Sequence, residues 1–269
     1  MPVIIDGTNG VSTPNTFAFK NRLINSQLLI NQRGVSGTVS LSAGAYGHDR
    51  FKAGSSGCTY TFSTSNNVTT LTITAGSLQQ VVEGLNLESG TYTLSWTGTA
   101  QGKIGAGSYS ASGITGSITG GTNTTIEFNT GTLSLPQLEK GSTATSFDYR
   151  PYGTELELCQ RYYWKWVPQY ASSYICTGLN IGTANTYGSV TLPVTMRTMP
   201  TLGTSGTASD YGGYTSTSRK VYTAVPSIDT NNTDTPLLYF AMGATITSGD
   251  ASINGSNTTN GFLSFSAEL

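Results

Sequence analysis

The chain has 269 residues, of which only 10% are charged, with 33 glycines, 44 threonines and 32 serines. Soluble domains usually carry charge on about a quarter of their residues, so hydroxyls and amides keep this chain wet, a texture that predicts an all-β fold and excludes a helical bundle. Thirteen basic against fourteen acidic residues leave a net charge of -1, which removes the basic footprint of nucleic-acid binding.

No apolar run approaches the roughly 18 residues of a membrane span, and the opening MPVIIDGTNG lacks the basic and apolar regions of a signal peptide. No membrane insertion and assembly in the cytoplasm are therefore expected. The length suggests two domains on a prior of about 150 residues each.

In chain order, residues 58–74 (CTYTFSTSNNVTTLTIT) give two alternating runs around Ser65-Asn66-Asn67, a predicted hairpin with Tyr60 and Phe62 on one face and Leu71 and Ile73 on another. Residues 91–99 alternate in the same way and align Tyr92, Leu94 and Trp96, which predicts a core position for Trp96. Strand-like pieces follow at Gly113 to Ile118 and at Thr124 to Phe128, then a closing strand from Leu133 with a turn at Lys140-Gly141. Turn signals recur every 8–12 residues or so, as in a sandwich or barrel.

The texture changes at 151–166 (PYGTELELCQRYYWKW), where Thr154 before Glu155, Leu156 and Glu157 predicts a capped helical turn. This stretch is the expected domain junction. Strands are predicted at Tyr162 to Val167 and Tyr170 to Leu179, and alternation returns at Val190, Leu192 and Val194, at Val221 to Val225, at Leu237 to Met242 and at Phe262 to Phe265. The Gly/Ser/Thr/Asn-rich stretches 203–219 and 248–261 read as long loops, where partner contacts concentrate on β scaffolds. Ten of the fifteen tyrosines lie after residue 150, and no Lys or Arg follows Lys220.

A search for catalytic chemistry yields nothing specific. The single histidine, His48, reads as part of a turn before a strand at Phe51, and neither a nucleophile elbow nor a phosphate-cradling loop occurs. Glu83 with Glu88, or Glu155 with Glu157, are the nearest approach to a glycosidase pair; Glu155 and Glu157 are better placed to face a helix dipole. Residues 229–234 (DTNNTD) match no calcium loop. Cys58, Cys159 and Cys176 show no metal spacing; a bridge between Cys159 and Cys176 is left open without being required. The expectation is no enzyme, no cofactor and no metal.

Two stretches carry a family resemblance. Asn21 to Arg33 (NRLINSQLLINQR) followed by Ala43 to Phe51 (AGAYGHDRF) resembles the opening of jelly-roll, carbohydrate-module-like domains in bacteriophage tail-fibre and receptor-binding proteins, and 136–166 resembles their closing strand and junction. A weaker echo is LPVTMRTMP at 192–200. The resemblance implies a virion-docking segment at about 1–20, a jelly-roll-like β-sandwich at 21–150, a junction at 151–166 and a smaller C-terminal β-sandwich at 167–269 that binds receptor. It also implies a homotrimer in the virion tail, attached to other tail proteins and to a host surface polysaccharide.

Sugar sites combine aromatic platforms with hydroxyl and amide groups, which makes Tyr170, Tyr174, Tyr211 and Tyr214 the glycan-binding candidates. Trp164 and Trp166, sharing one strand face, are candidates for interdomain or intersubunit packing. A head-decoration or tail-assembly protein binding only virion subunits is the alternative. A polysaccharide depolymerase is disfavoured because no repeat of 20–50 residues is present.

Overall fold

The computed structural model describes residues 19–216, 218–243 and 246–269 and the backbone of 4–6 and 10–12. Most of the expected 1–20 docking segment thus lies outside the described residues. The chain divides into two compact units, Met1–Leu156 and Glu157–Leu269. The fold is all-β and sandwich-type, as the composition predicts, and all its strand pairings among the described residues are antiparallel.

In the first unit β1 (Ile4–Asp6) and β2 (Gly10–Ser12) form a ribbon. The main sheet comprises β3 (Val39–Leu41), β4 (Lys52–Ser65), β5 (Val68–Val82), β6 (Gly90–Thr97), β7 (Gly102–Ile104), β8 (Ile114–Ile118), β9 (Thr124–Phe128) and β10 (Gly131–Lys140). Its order is β3-β4-β5-β10-β6-β8, with β9 joined to β5 and β7 to β9. One edge of β5 serves two neighbours: Leu71 to Ile73 pair with β10, and Leu78 to Val82 pair with β9. Between these halves lies Gly76 at φ 69°, where a Cβ would stand 2.0 Å from the Gly57 carbonyl oxygen, so only glycine fits.

The predicted hairpin is β4–β5. Ser65 pairs with Val68, and Asn66 and Asn67 both take positive φ (50° and 58°), the geometry of a two-residue type I′ turn. Tyr60, Leu71, Ile73, Tyr92, Leu94 and Trp96 all enter one core. The Trp96 indole donates to the Ala100 carbonyl at 3.0 Å and meets Phe128 edge-on, so its polar handle is satisfied in the interior.

The residues that carry the resemblance hold this unit together. Asn25 donates to the carbonyls of Ile30 (2.8 Å) and Asp49 (2.9 Å) and accepts the Ile30 amide (2.9 Å). Asp49 accepts the Gln32 amide at 3.0 Å, and buried Arg50 donates to the Val81 carbonyl at 2.8 Å. Buried Arg150 donates to Glu155 at 3.0 Å and to the Leu23 carbonyl at 3.1 Å. The strandless segment from Asn21 therefore has its backbone groups satisfied by its own Asn25, by Asp49 and by Arg150 from the unit's far end, the accounting that a buried coil requires.

The helix α1 (Tyr152–Gln160) covers the predicted turn but begins two residues earlier, so Thr154 lies inside it and does not cap it. Glu155 lies in its first turn, and there it also serves as counterion to Arg150 and acceptor for the Asn25 amide.

The second unit has two sheets. Three strands, β11 (Tyr163–Trp166), β20 (Leu263–Ser266) and β14 (Thr201–Thr204), form one in the order β11-β20-β14. The other has the order β16-β15-β19-β12-β13-β18-β17, from β12 (Tyr174–Ile181), β13 (Asn185–Ser189), β15 (Tyr211–Tyr214), β16 (Arg219–Val221), β17 (Ser227–Thr230), β18 (Leu237–Ala241) and β19 (Ala251–Ser256). Part of the expected junction, Tyr163–Trp166, is thus a strand of this unit.

Two sequence expectations change here. The stretches 203–219 and 248–261, expected as loops, contain β15 and β19, and β19 lies inside the seven-stranded sheet between β15 and β12. Their small residues are what this sheet demands: a Cβ on Gly255 would lie 2.1 Å from the Ser173 carbonyl oxygen. Interior Asn254 accepts the Tyr222 hydroxyl at 2.7 Å, and interior Ser252 bonds the Thr186 hydroxyl.

Conversely, the alternation at Val190 to Val194 is not a strand. β13 ends at Ser189, and the chain continues irregularly with Val190, Leu192 and Met196 buried and their amides on the carbonyls of Pro236, Asp234 and Thr233. Pro193 and Pro200 bring no N–H, which prevents a regular ladder. In the same LPVTMRTMP stretch Arg197 pins the carbonyls of Ala267 (2.7 Å) and Glu268 (3.0 Å).

Candidate functional site

Within the second unit, Tyr214 ends β15 and Tyr174 begins β12, on either side of β19. Register places Tyr214 opposite Ile253 and Tyr174 opposite Gly255, and where β19 has no side chain at Gly255 the rings approach each other. Their centroids are 6.0 Å apart at 67°, the edge-to-face arrangement that aromatic quadrupoles favour. Tyr174 is 44% exposed and Tyr214 40%.

Arg219 braces this pair. Its guanidinium lies 5.6 Å from the Tyr214 ring centroid, while Nε donates to Asn257 Oδ1 at 3.2 Å, one terminal nitrogen to the Ser256 carbonyl at 3.1 Å, and the other to the Ser172 hydroxyl. The cation is engaged on several sides, and it fixes the turn that carries Tyr170. In that turn the Ser173 hydroxyl donates to the Tyr170 carbonyl at 2.8 Å, leaving the Tyr170 side chain 66% exposed. Beside the pair is a depression of about 380 Å3 lined by Trp166, Val167, Gln169, Tyr170, Ser172, Ser173 and Tyr174. No lining side chain is ionised at neutral pH. Such a surface can stack and hydrogen-bond.

Three of the four candidate tyrosines thus belong to one exposed region. The fourth, Tyr211, is a correction: it is 1% exposed, and its hydroxyl donates to the Phe262 carbonyl (2.6 Å) and accepts the Ser205 amide (2.7 Å). It is a core residue with its polar end satisfied. Sequence held a signal for this, because residues three apart on a strand face opposite ways, so Tyr211 and Tyr214 were never on one face. Trp164 stacks on Phe265 (5.6 Å, 19°), and both Trp164 and Trp166 are half-buried against the core of their own unit. Arg219, Ser172 and Asn257 were not anticipated; only the position of Arg219 at the end of the chain's cations hinted at it.

The other titratable candidates have structural environments. His48 is buried, its Nδ1 is 2.9 Å from the Tyr60 hydroxyl, and burial lowers its pKa from 6.5 to about 4. Glu88 pairs with Lys140, whose hydrogen bond and charge hold the carboxyl below its usual range. No disulfide joins Cys159 and Cys176, and burial raises the Cys176 thiol to about 12. The 229–234 stretch begins at the end of β17, and after it Asn232 accepts the Asp234 amide at 3.1 Å, a local turn. Among the described residues no group of three or more His, Cys, Asp or Glu is placed to hold a metal, and no helix is long and apolar enough to cross a membrane.

Compared with known proteins, the chain matches no family, no curated protein and no solved structure.

Proposed function

We propose that this chain is a non-catalytic bacteriophage tail-fibre or tail-tip protein that attaches to a neutral glycan on the host surface through Tyr170, Tyr174 and Tyr214. The observation that carries the reading is the exposed Tyr174–Tyr214 pair, braced by Arg219 beside an uncharged depression. Rigid aromatic faces among hydroxyls and amides suit the alternating apolar and hydroxyl faces of a sugar. Placement in the virion tail, a homotrimeric state and attachment to other tail proteins rest on the resemblance of 21–51 and 136–166 to phage proteins.

The test uses the full chain on a glycan array and on host cells, beside the double variant Tyr174→Ala/Tyr214→Ala. Binding to at least one neutral glycan, lost in the variant, is expected. No binding to any susceptible host, or binding indifferent to the tyrosines, sinks the reading. Sedimentation at micromolar concentration is expected to show a trimer, and a monomer contradicts that part.

One observation favours the second reading, a decoration or tail-assembly protein that binds only other virion subunits. Ile253 on β19, opposite Tyr214, and Leu179 and Ile181 at the far end of β12 are exposed, and apolar side chains of that kind suit a protein partner. Locating the chain in an intact particle separates the two readings, since a decoration protein covers the capsid and a fibre is distal.

A further inference from the structure

The larger sheets of both units end in strands whose outer sides carry no further strand, and nearly all of these edges are guarded against pairing with another chain. Among the described residues, β16 carries Arg219 and Lys220, β11 carries Lys165, and β7 carries Lys103 and is bridged to Ser110. A bulge at Asp229 interrupts β17, Pro200 stands immediately before β14, and β3 has only three residues. Charge, proline, bulges and shortness are the devices that keep an edge from templating a new strand. β8 has none of them: Ile114–Ile118 runs for five residues without charge or proline, in unbroken register with β6.

The register fixes which backbone groups this edge offers. The Gly141 amide donates to the Thr91 carbonyl at 2.9 Å on the β10 side of β6, and the Gly113 amide donates to the Leu94 carbonyl at 3.0 Å on the β8 side. Odd-numbered residues of β6 therefore bond towards β10, while Tyr92 and Leu94 bond their β8 partners Gly116 and Ile114. Backbone direction alternates along a strand, so the N–H and C=O of Thr115 and Ser117 point away from β6. Both residues are exposed, and no strand pairs with that side of β8 among the described residues.

Space lies beside the edge. A depression of about 710 Å3 is lined by 116–119, by the 104–107 turn and by 122–125. Its lining includes the hydroxyl residues Ser117, Thr119 and Thr125 and the amide residue Asn123. Gln79 on β5, Glu127 on β9 and Lys103 on β7 are directly opposite one another, a cross-strand row. Glu127 is the one ionised residue in the lining, and Lys103 Nζ offsets its charge at 2.9 Å. A charged partner gains nothing here, whereas a peptide backbone repeats its N–H and C=O at the spacing that β8 presents. In strand addition the main-chain bonds give affinity and the neighbouring side chains give specificity. Cross-strand neighbours of Thr and Ser favour further hydroxyl residues.

We infer that β8 is a docking edge, beside which an extended, uncharged, hydroxyl-rich segment of another protein adds as a further strand, bonded to the backbone of Thr115 and Ser117. The site belongs to the first unit and does not depend on the tyrosine surface.

The test pans the full chain against a displayed library of octapeptides randomised over Ser, Thr, Asn, Gly, Val and Tyr. Enriched peptides, synthesised with capped ends, are then titrated by fluorescence anisotropy. Ser117→Pro removes an N–H that the fold does not use, a change that edge strands tolerate, and Ser117→Ala removes only the hydroxyl. Peptides should bind Ser117→Ala within about twofold of the parent and Ser117→Pro about tenfold more weakly or worse. Hydrogen exchange reads the same edge without substitution: the Thr115 and Ser117 amides should exchange quickly in the free chain and slow when peptide is bound. No enriched peptide, equal binding to the parent and Ser117→Pro, or no slowing at Thr115 and Ser117 overturns the inference. A dimer in sedimentation that Ser117→Pro breaks overturns it as well, because a second copy then covers the edge.

Discussion

The side-chain carbonyl of Asn21 accepts the backbone amide of Leu138 at 3.0 Å, a bond between residues 117 positions apart. The same oxygen accepts the Leu23 amide at 3.0 Å, and Nδ2 donates to the Pro136 carbonyl at 3.1 Å. One buried amide thus joins the coil at the start of the first unit to its last strand. Asn21→Ala strands two buried amides and a carbonyl, and a loss of about 2–4 kcal/mol is expected. Urea unfolding of the variant measures it; a loss below about 0.5 kcal/mol would mean that water replaces the side chain at little cost.

His48 makes stability depend on mild acid. Its folded pKa of about 4 lies below the usual 6.5 because burial disfavours the imidazolium. The unfolded chain therefore binds the proton more readily, so this contribution is whole above about pH 6.5 and is lost as pH falls towards 4. As the chain has one histidine, a single imidazole resonance should titrate near pH 4 in the native protein. A midpoint near 6.5 would show an open, hydrated ring. His48→Gln should flatten the slope of stability between pH 6.5 and 4.

How legible this fold was depended on how local each determinant is. The β4–β5 hairpin was readable because its turn residues set its conformation by themselves, and Asn66 and Asn67 tolerate positive φ. β19 was not, because Ala251–Ser256 becomes a strand through close approach of neighbouring backbones at Gly255, a tertiary fact that composition disguises as a loop. The tyrosine surface was half readable: parity along β15 separates Tyr211 from Tyr214, but nothing local brings Arg219, Ser172 and Asn257 together. The cross-strand row at Glu127 is likewise assembled by register alone. For the turn, Asn67→Val should cost about 1–2 kcal/mol by forcing a β-branched residue to positive φ, whereas Asn67→Gly should be neutral or stabilising. Thermal melts of the pair check this, and equal melting temperatures would contradict it.

Glu127 should govern a lower acid range. Its carboxyl titrates at about 2 in the folded chain against 4.5 ordinarily: burial raises it, and the bonds from Ser77, Lys103, Tyr109 and Gln79 more than reverse the effect. Since the folded value is depressed, the contribution is present above about pH 4.5 and disappears as pH falls towards 2. Glu127→Gln should be less stable than the parent at pH 7 and approach it near pH 2. Denaturant titrations at both pH values decide this; a constant gap would show that the carboxylate's charge is not what matters.

Tyr211 and Tyr214, three residues apart, should respond in opposite ways to substitution. Tyr211→Phe removes only a hydroxyl, yet that group accepts the Ser205 amide and donates to the Phe262 carbonyl in the interior. Both partners then lose their bond, and a cost of about 1–3 kcal/mol is expected. Tyr214→Ala removes a whole ring, but from a 40% exposed position whose contacts are Tyr174 and Arg219, so stability should fall by less than about 1 kcal/mol. Ligand binding should show the reverse order, kept in Tyr211→Phe once the protein is folded and lost in Tyr214→Ala. Melting curves together with the cell-binding assay give both readouts. A Tyr214→Ala protein that melts early and binds normally would recast the Tyr174–Tyr214 pair as packing and remove it from the recognition surface.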